Sequence, residues 1–360
     1  MLYSKLLQIN GAIIILACVS TVCSVVGLSV PHCALSAEIC SLPHFKTVPG
    51  GFRYDFPPVI KKKGLVFAQK RIPIQRSDVR ERILNEINYW LLDRRSRVLR
   101  VLLDSDHLGS VIPPILKKYN LPPEFLYLAA VESMYNSRAL SPAGAFGYWQ
   151  FIESTAKKGP SGCPIYNWKM EINKWKDERA DLICSTHSAA RYLAWMNRIM
   201  MVRLKGTKER KGFRNWILTA AAYNSGPSRV VKQLSNFEVR SYWDVPLPTE
   251  TEKYVPRWIA LALISKYRKY YGVEVPFKKQ LFFDAVRNIK LKKDLPFAAI
   301  AKLINTSPRR IWTLNSQIPS HQAVFPAKSR GKVLTHLIKV PRGKGKILRD
   351  QLKSKGYLRK

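Results

Sequence analysis

One carboxylate stands out by its surroundings. Glu132 closes an apolar run of Phe125, Leu128, Ala129 and Val131, which Leu121 and Pro122 open as a helix. It is followed by Ser133 and a turn-forming stretch, SPAGAFG, with Gly144 and Gly147, that leads into Tyr148, Trp149, Gln150 and Phe151. A carboxyl group at the C-terminal end of a helix, beside apolar neighbours, feels desolvation and the negative end of the macrodipole, and both favour its protonated form. A carboxyl that keeps its proton can serve as a general acid. The turn that follows presents aromatic and amide groups, which suit a sugar. Taken alone, Glu132 also fits a solvated residue at a helix end.

Other elements must bring partners to this carboxylate. In ILTAAAYNSGPSRV, Ile217, Leu218, Ala221 and Ala222 read as helical core, and Asn224-Ser225-Gly226-Pro227 stops the helix. Tyr223 and Asn224 then sit at an end that can face a cleft, although such a turn also serves as a plain helix terminator. Val79, Ile83, Ile87 and Leu91 recur every four residues after Ser77-Asp78, which predicts an amphipathic support helix. Val111 to Lys118 predicts a second helix leading into the Glu132 helix. From about Ala180 a third puts Ile183, Ala190, Leu193 and Met196 inward.

The order of these motifs carries a resemblance. AAVESMYNSRALSPAGAFGYWQFIESTA resembles the catalytic core of the lytic transglycosylases with a soluble-transglycosylase, lysozyme-like domain, most closely the membrane-bound type D. Glu132-Ser133, Ser141, Gly144-Ala145, Gly147, Trp149-Gln150 and Ser154-Thr155-Ala156 fall on the family pattern, with Tyr148 where Leu is usual. Asp177-Glu178-Arg179, Asp181, Ser185-Thr186 and Tyr192-Leu193 are similar to a second signature. AAAYNSG is similar to a third, with Ser225 for the usual Ala, and LPTETEKYVP to a fourth that places Glu250, Thr251, Tyr254 and Pro256. Together they span Leu121 to Lys266.

The resemblance implies a mainly α fold, a lysozyme-like helical catalytic domain that acts on peptidoglycan. It implies Glu132 as the single catalytic residue, protonating the glycosidic oxygen between N-acetylmuramic acid and N-acetylglucosamine. The same Glu then takes a proton from the sugar's 6-hydroxyl, giving a 1,6-anhydro end without water. Ser133, Tyr148, Gln150, Tyr223, Asn224 and Tyr254 are implied as substrate-binding, and Gly144, Gly147 and Asp181 as structural residues near the site. Ordinary glycosidases use two carboxylates, and none follows Glu132 until Glu153. Asp177 or Asp181 as a water-positioning second carboxylate stays open as a goose-type lysozyme alternative. A non-catalytic wall-binding protein is the third class.

The 360 residues carry 61 Lys and Arg against 24 Asp and Glu, a net charge of +37, so a polyanionic partner or surface is expected. The leading Lys5 and the apolar run after it, with small residues up to Ala37, predict a signal peptide or membrane anchor over 1–37 and a periplasmic or envelope location. That favours anionic envelope polymers or a membrane surface as partners over nucleic acid, and the chain is expected to act as a monomer. Cys163 and Cys184 can pair in an oxidising compartment, closing a loop of about 20 residues worth roughly 3 kcal/mol, or remain two thiols. No Cys or His spacing suggests a metal site, and no cofactor is implied.

Residues 38–76, rich in Pro, Gly and Lys without periodicity, are expected as an extended arm. Residues 77–120 read as a helical scaffold and 121–275 as the catalytic domain. In 280–341 two short helices flank a Thr306-Ser307-Pro308 cap, and Ala323 to Phe325 and Thr335 to Val340 read as strands. This resembles a degenerate LysM module, a small α+β peptidoglycan-binding fold, and equally fits a helical appendage. The basic residues 342–360 are expected as a solvated tail.

Overall fold

The computed structural model describes residues 45–48, 51–158, 170–203, 215–276 and 279–359. The expected export segment and Cys163 lie outside the described residues. The chain divides into two compact units, Met1–Asp55 and Phe56–Lys360. In the first, β1 (Phe45–Val48) pairs antiparallel with β2 (Gly51–Tyr54).

The second unit opens with α1 (Pro58–Lys63) and an antiparallel hairpin of β3 (Leu65–Phe67) and β4 (Lys70–Ile72). This corrects the expectation of an extended arm through 76. Ile60, Leu65, Phe67 and Ile72 are buried, and the Phe67 ring stands edge-on to Trp258 at 4.7 Å. Four spaced apolar anchors outweigh the Pro and Lys content, because each buries side-chain area worth about 1.5–3 kcal/mol.

A helical body follows. It comprises α2 (Ser77–Asn88), α3 (Arg95–Leu108), α4 (Ile112–Lys118), α5 (Leu126–Ser133) and α6 (Glu153–Lys158), then the short pair β5 (Ile172–Asn173) and β6 (Lys176–Asp177). The long α7 (Leu182–Arg203), α8 (Trp216–Ser225), α9 (Pro227–Asn236) and α10 (Thr249–Lys266) complete it. The α10 helix packs against α2, α5 and α8, with Val255, Trp258, Ile259 and Leu263 buried. Residues 77–120 and 121–275 therefore share one core.

Pro256 lies inside α10, where it cannot supply the amide hydrogen that Glu252 O would accept. That carbonyl is satisfied from outside the helix, by Tyr242 Oη at 2.8 Å and Arg82 Nη2 at 3.0 Å. The helix thus continues past the proline, with Tyr254 buried just before it.

The C-terminal part is α+β. It runs through β7 (Phe283–Lys290), β8 (Leu295–Pro296), α11 (Phe297–Leu303), α12 (Pro308–Leu314), β9 (Val324–Phe325), β10 (Lys328–Ser329), β11 (Lys332–Val333), β12 (Thr335–Pro341) and α13 (Gly345–Ser354). β12 pairs antiparallel with β7, with a register shift between His336 and Ile338. Ser307 caps α12, its side chain accepting from the amide of Arg310 at 3.2 Å. The end expected as a solvated tail is a correction: α13 buries Leu348 and Leu352 in a core with Val286, Ile300, Ile311 and Ile338. Among the described residues no helix is long and apolar enough to cross a membrane.

Candidate active site

Glu132 sits in the last turn of α5. The helix stops there because Met134 and Tyr135 take left-handed backbone, at φ 52° and 59°, each costing roughly 1–2 kcal/mol for a residue with a Cβ. Bonds nearby hold this end in place. Tyr135 Oη donates to Leu126 O at 3.2 Å, and Ser133 Oγ to Tyr148 O at 2.8 Å.

The Glu132 carboxylate accepts a hydrogen bond from the Tyr254 hydroxyl, brought in by α10. Desolvation lifts the Glu132 pKa to about 7; the Tyr254 bond pulls it down, and the charge of Glu250 adds to the rise. Burial pushes the phenols of Tyr254 and Tyr223 well above their ordinary value, with the Glu132 charge adding to both. Tyr254 is therefore a neutral donor facing an acid that changes protonation near neutral pH. Tyr223, at the end of α8, donates to Trp149 O at 2.7 Å. Asn224 gives its amide hydrogen to Glu250 at 3.0 Å and accepts from Thr251 Oγ1 at 2.7 Å. It ties the end of α8 to the start of α10 on which Tyr254 is carried.

The loop after Glu132 is built around two glycines. Gly147 has φ 84°, and a Cβ there would stand 2.0 Å from Arg179 O, so neither the backbone angle nor the space admits a side chain. Gly144, at φ 76°, presents its carbonyl to Arg179 Nη1 at 3.2 Å. Trp149 is fully buried and donates to Thr186 at 3.0 Å.

Two of the residues expected at the sugar bond or pack within the protein. The Gln150 amide donates to Ala139 O and Gly147 O, both at 2.9 Å, so it closes the loop on itself. The Tyr148 ring lines a cavity of about 220 Å³ with Tyr135, Leu182, Ser316 and Lys339. Its hydroxyl is buried near Ser137 and Ser316, which leaves its pKa pushed up to about 12.

Asp181 caps α7 through the amides of Ile183 (2.9 Å) and Cys184 (3.0 Å) and forms an ion pair with Lys339. Asp177 grips Arg179 at 2.7 Å. Both carboxylates are engaged by cations, an arrangement suited to holding loops. Cys184 is a free thiol that donates to Glu178 at 3.5 Å. Sequence reasoning missed the reach of Arg179 to Gly144 and Phe151 and the insertion of Lys339. The Asp-Glu-Arg run signalled the first; nothing in a strand pattern signals the second.

Residues 111–245 match the family model described as the transglycosylase SLT domain. Over 207 residues the chain is 32% identical to the membrane-bound lytic murein transglycosylase D of Escherichia coli, a match covering 56% of this chain and 41% of that protein. The chain thus spans less than half the length of this curated relative. Among solved structures it is similar to an inactive mutant of the lytic transglycosylase Slt of Pseudomonas aeruginosa, at 21% identity over 52% of this chain and 27% of that one, with a TM-score of 0.34. It is also similar to the 70 kDa soluble lytic transglycosylase of Escherichia coli, at 19% identity over 60% and 41%, with a TM-score of 0.34. Residues 111–245 thus match a transglycosylase SLT domain, in a chain similar over 56% of its length to the membrane-bound lytic murein transglycosylase D.

Proposed function

We propose that this chain is a peptidoglycan lytic transglycosylase in which Glu132 acts first as acid and then as base. The observation that carries this reading is a partly buried carboxyl with a pKa near 7 whose hydrogen-bond partner is a neutral phenol. Protonated, Glu132 gives its proton to the oxygen bridging N-acetylmuramic acid and N-acetylglucosamine, and the bond from C1 to that oxygen breaks. The sugar's N-acetyl oxygen covers C1, and the 6-hydroxyl then attacks C1 while its proton passes to the Glu132 carboxylate. The acid is regenerated and no water is consumed. Attack within one sugar benefits from a high effective molarity. Tyr254 holds the carboxylate in orientation and stabilises its charged form between the two steps. Ser133, Tyr223 and Gln150 fix the loop backbone beside the acid, and Asn224 sets the position of Tyr254.

The SLT domain match and the relative's name support peptidoglycan as the substrate. The engagement of Asp177 by Arg179 and of Asp181 by Lys339 speaks against a hydrolase that uses either to position water. The C-terminal part has the strand, helix, helix, strand order of a LysM-like module, and we read it as a degenerate one. The apolar N-terminal run and the name of the membrane-bound relative support an envelope location, and the +37 charge an anionic surface there. Digestion of purified sacculi with mass analysis tests the reaction. Products with 1,6-anhydro ends, one water lighter than reducing ends, are expected from the wild type and not from Glu132→Gln; reducing ends alone would make it a hydrolase.

A further inference from the structure

We propose that Lys339, on β12, is a positioning residue for this reaction, fixing through Asp181 the loop of residues 139–151 that frames Glu132. The proposal rests on the lytic transglycosylase reading of the site.

The loop and the segment 177–181 are joined at several points. Arg179 Nη1 donates to Gly144 O at 3.2 Å and Phe151 O at 3.1 Å, while Asp177 grips the other side of the guanidinium. The Arg179 carbonyl packs so closely on Gly147 that no side chain fits between them. The loop passes this constraint on, since the carbonyls of Tyr148 and Trp149 accept from Ser133 and Tyr223, one beside the acid and the other facing it from α8.

Segment 177–181 is held in turn by the C-terminal part. Ser316 Oγ donates to Ala180 O at 2.5 Å, and the Asp177 amide to Gln317 O at 2.8 Å. Arg138, immediately before the loop, reaches Ser316 O and Ile318 O. Lys339 completes the clamp: it is 2% exposed, in a strand that also buries His336, Ile338 and Val340, and its ammonium pairs with Asp181. A buried ion pair is weak evidence of stability, because apolar residues of similar volume often serve as well. What the pair supplies that an apolar residue cannot is direction, one ammonium bonded to one carboxylate at the start of α7.

The test uses the full chain, soluble uncrosslinked glycan strands as substrate, and two variants, Lys339→Met and Lys339→Met with Asp181→Asn. The double variant leaves no charge unpaired, and the amide oxygen of Asn keeps the α7 cap. It is expected to melt near the wild-type temperature, with kcat lowered about 10- to 100-fold and KM within about twofold, since small misplacement of reacting groups costs turnover rather than affinity. Faster amide hydrogen exchange over 139–151 is expected with it. Wild-type kcat in the folded double variant, a rise in KM alone, unchanged exchange over 139–151, or failure of that variant to fold would each overturn the proposal. Inactivity of the wild type on this substrate would instead sink the proposed activity, and the exchange measurement would still decide the link from Lys339 to the loop.

Discussion

Glu132 and Asp181 flank the same loop, and the fold treats the two carboxylates oppositely. Asp181 receives an ammonium, caps a helix with two amides and is closed off by its partners. Among the described residues Glu132 receives a single phenol and no cation, and it feels a second carboxylate, Glu250. A desolvated carboxylate with a neutral partner can gain and lose a proton within the working range of pH. The difference separates a group tied into the structure by a cation from a desolvated one suited to the proposed acid and base role.

The sharpest way to break the comparison is to neutralise each side. Glu132→Gln is expected to lower turnover of peptidoglycan by about 10²- to 10⁴-fold, the usual contribution of a general acid and base, with the circular dichroism spectrum unchanged. Turnover within a few-fold of wild type would remove Glu132 from the chemistry. Lys339→Met alone leaves Asp181 charged, buried and without its cation. Breaking a buried pair from one side costs about 3–5 kcal/mol, so a loss of that size is expected in denaturant titrations. A loss below about 1 kcal/mol would mean that water reaches Asp181 and that the contrast with Glu132 is false.

The pH dependence of stability sharpens the comparison further. The folded pKa of Glu132 is raised from 4.5 to about 7, so between those values the native state binds more protons than the unfolded chain. Stability from this group is fully present below pH 4.5 and is lost as pH rises through about 7. At about 1.4 kcal/mol per unit of pKa the loss levels off near roughly 3 kcal/mol. Glu132→Gln should therefore match the wild type near pH 4.5 and exceed it at pH 8. A constant difference across that range would place the pKa of Glu132 at its ordinary value.

Much of this arrangement was legible in the sequence. The helices carrying Ser77 to Asn88, Ile112 to Lys118 and Glu132, and the stop at Gly226, followed from periodicity and from Gly and Pro. Tyr254 came through the resemblance alone, because the contact joins α5 to α10 over more than a hundred residues. The residues expected as an arm were misread because the anchors Ile60, Leu65, Phe67 and Ile72 follow no single period across a helix and a hairpin. In α13, Leu348 and Leu352 are one turn apart, but Lys and Arg on either side masked the stripe. Tyr148 and Gln150 are of types that suit a sugar; which way a side chain leaves a loop depends on backbone angles, such as φ 48° at Gln150, that residue types leave open. Lys339 could not be found at all, since a lysine in a short strand is ordinarily solvated.

The smallest effect concerns the phenol. The Tyr254 bond lowers the Glu132 pKa against the larger effect of desolvation. Tyr254→Phe removes that bond, so the acid should hold its proton to higher pH and the alkaline limb of the activity profile should move upward. Turnover at the optimum should fall about 10-fold, as expected when one hydrogen bond to a charged group, worth about 1.5 kcal/mol, is lost. A limb that moves downward would show that Tyr254 favours the protonated acid, and the distinction between a phenol partner and a cation partner would then need a different basis.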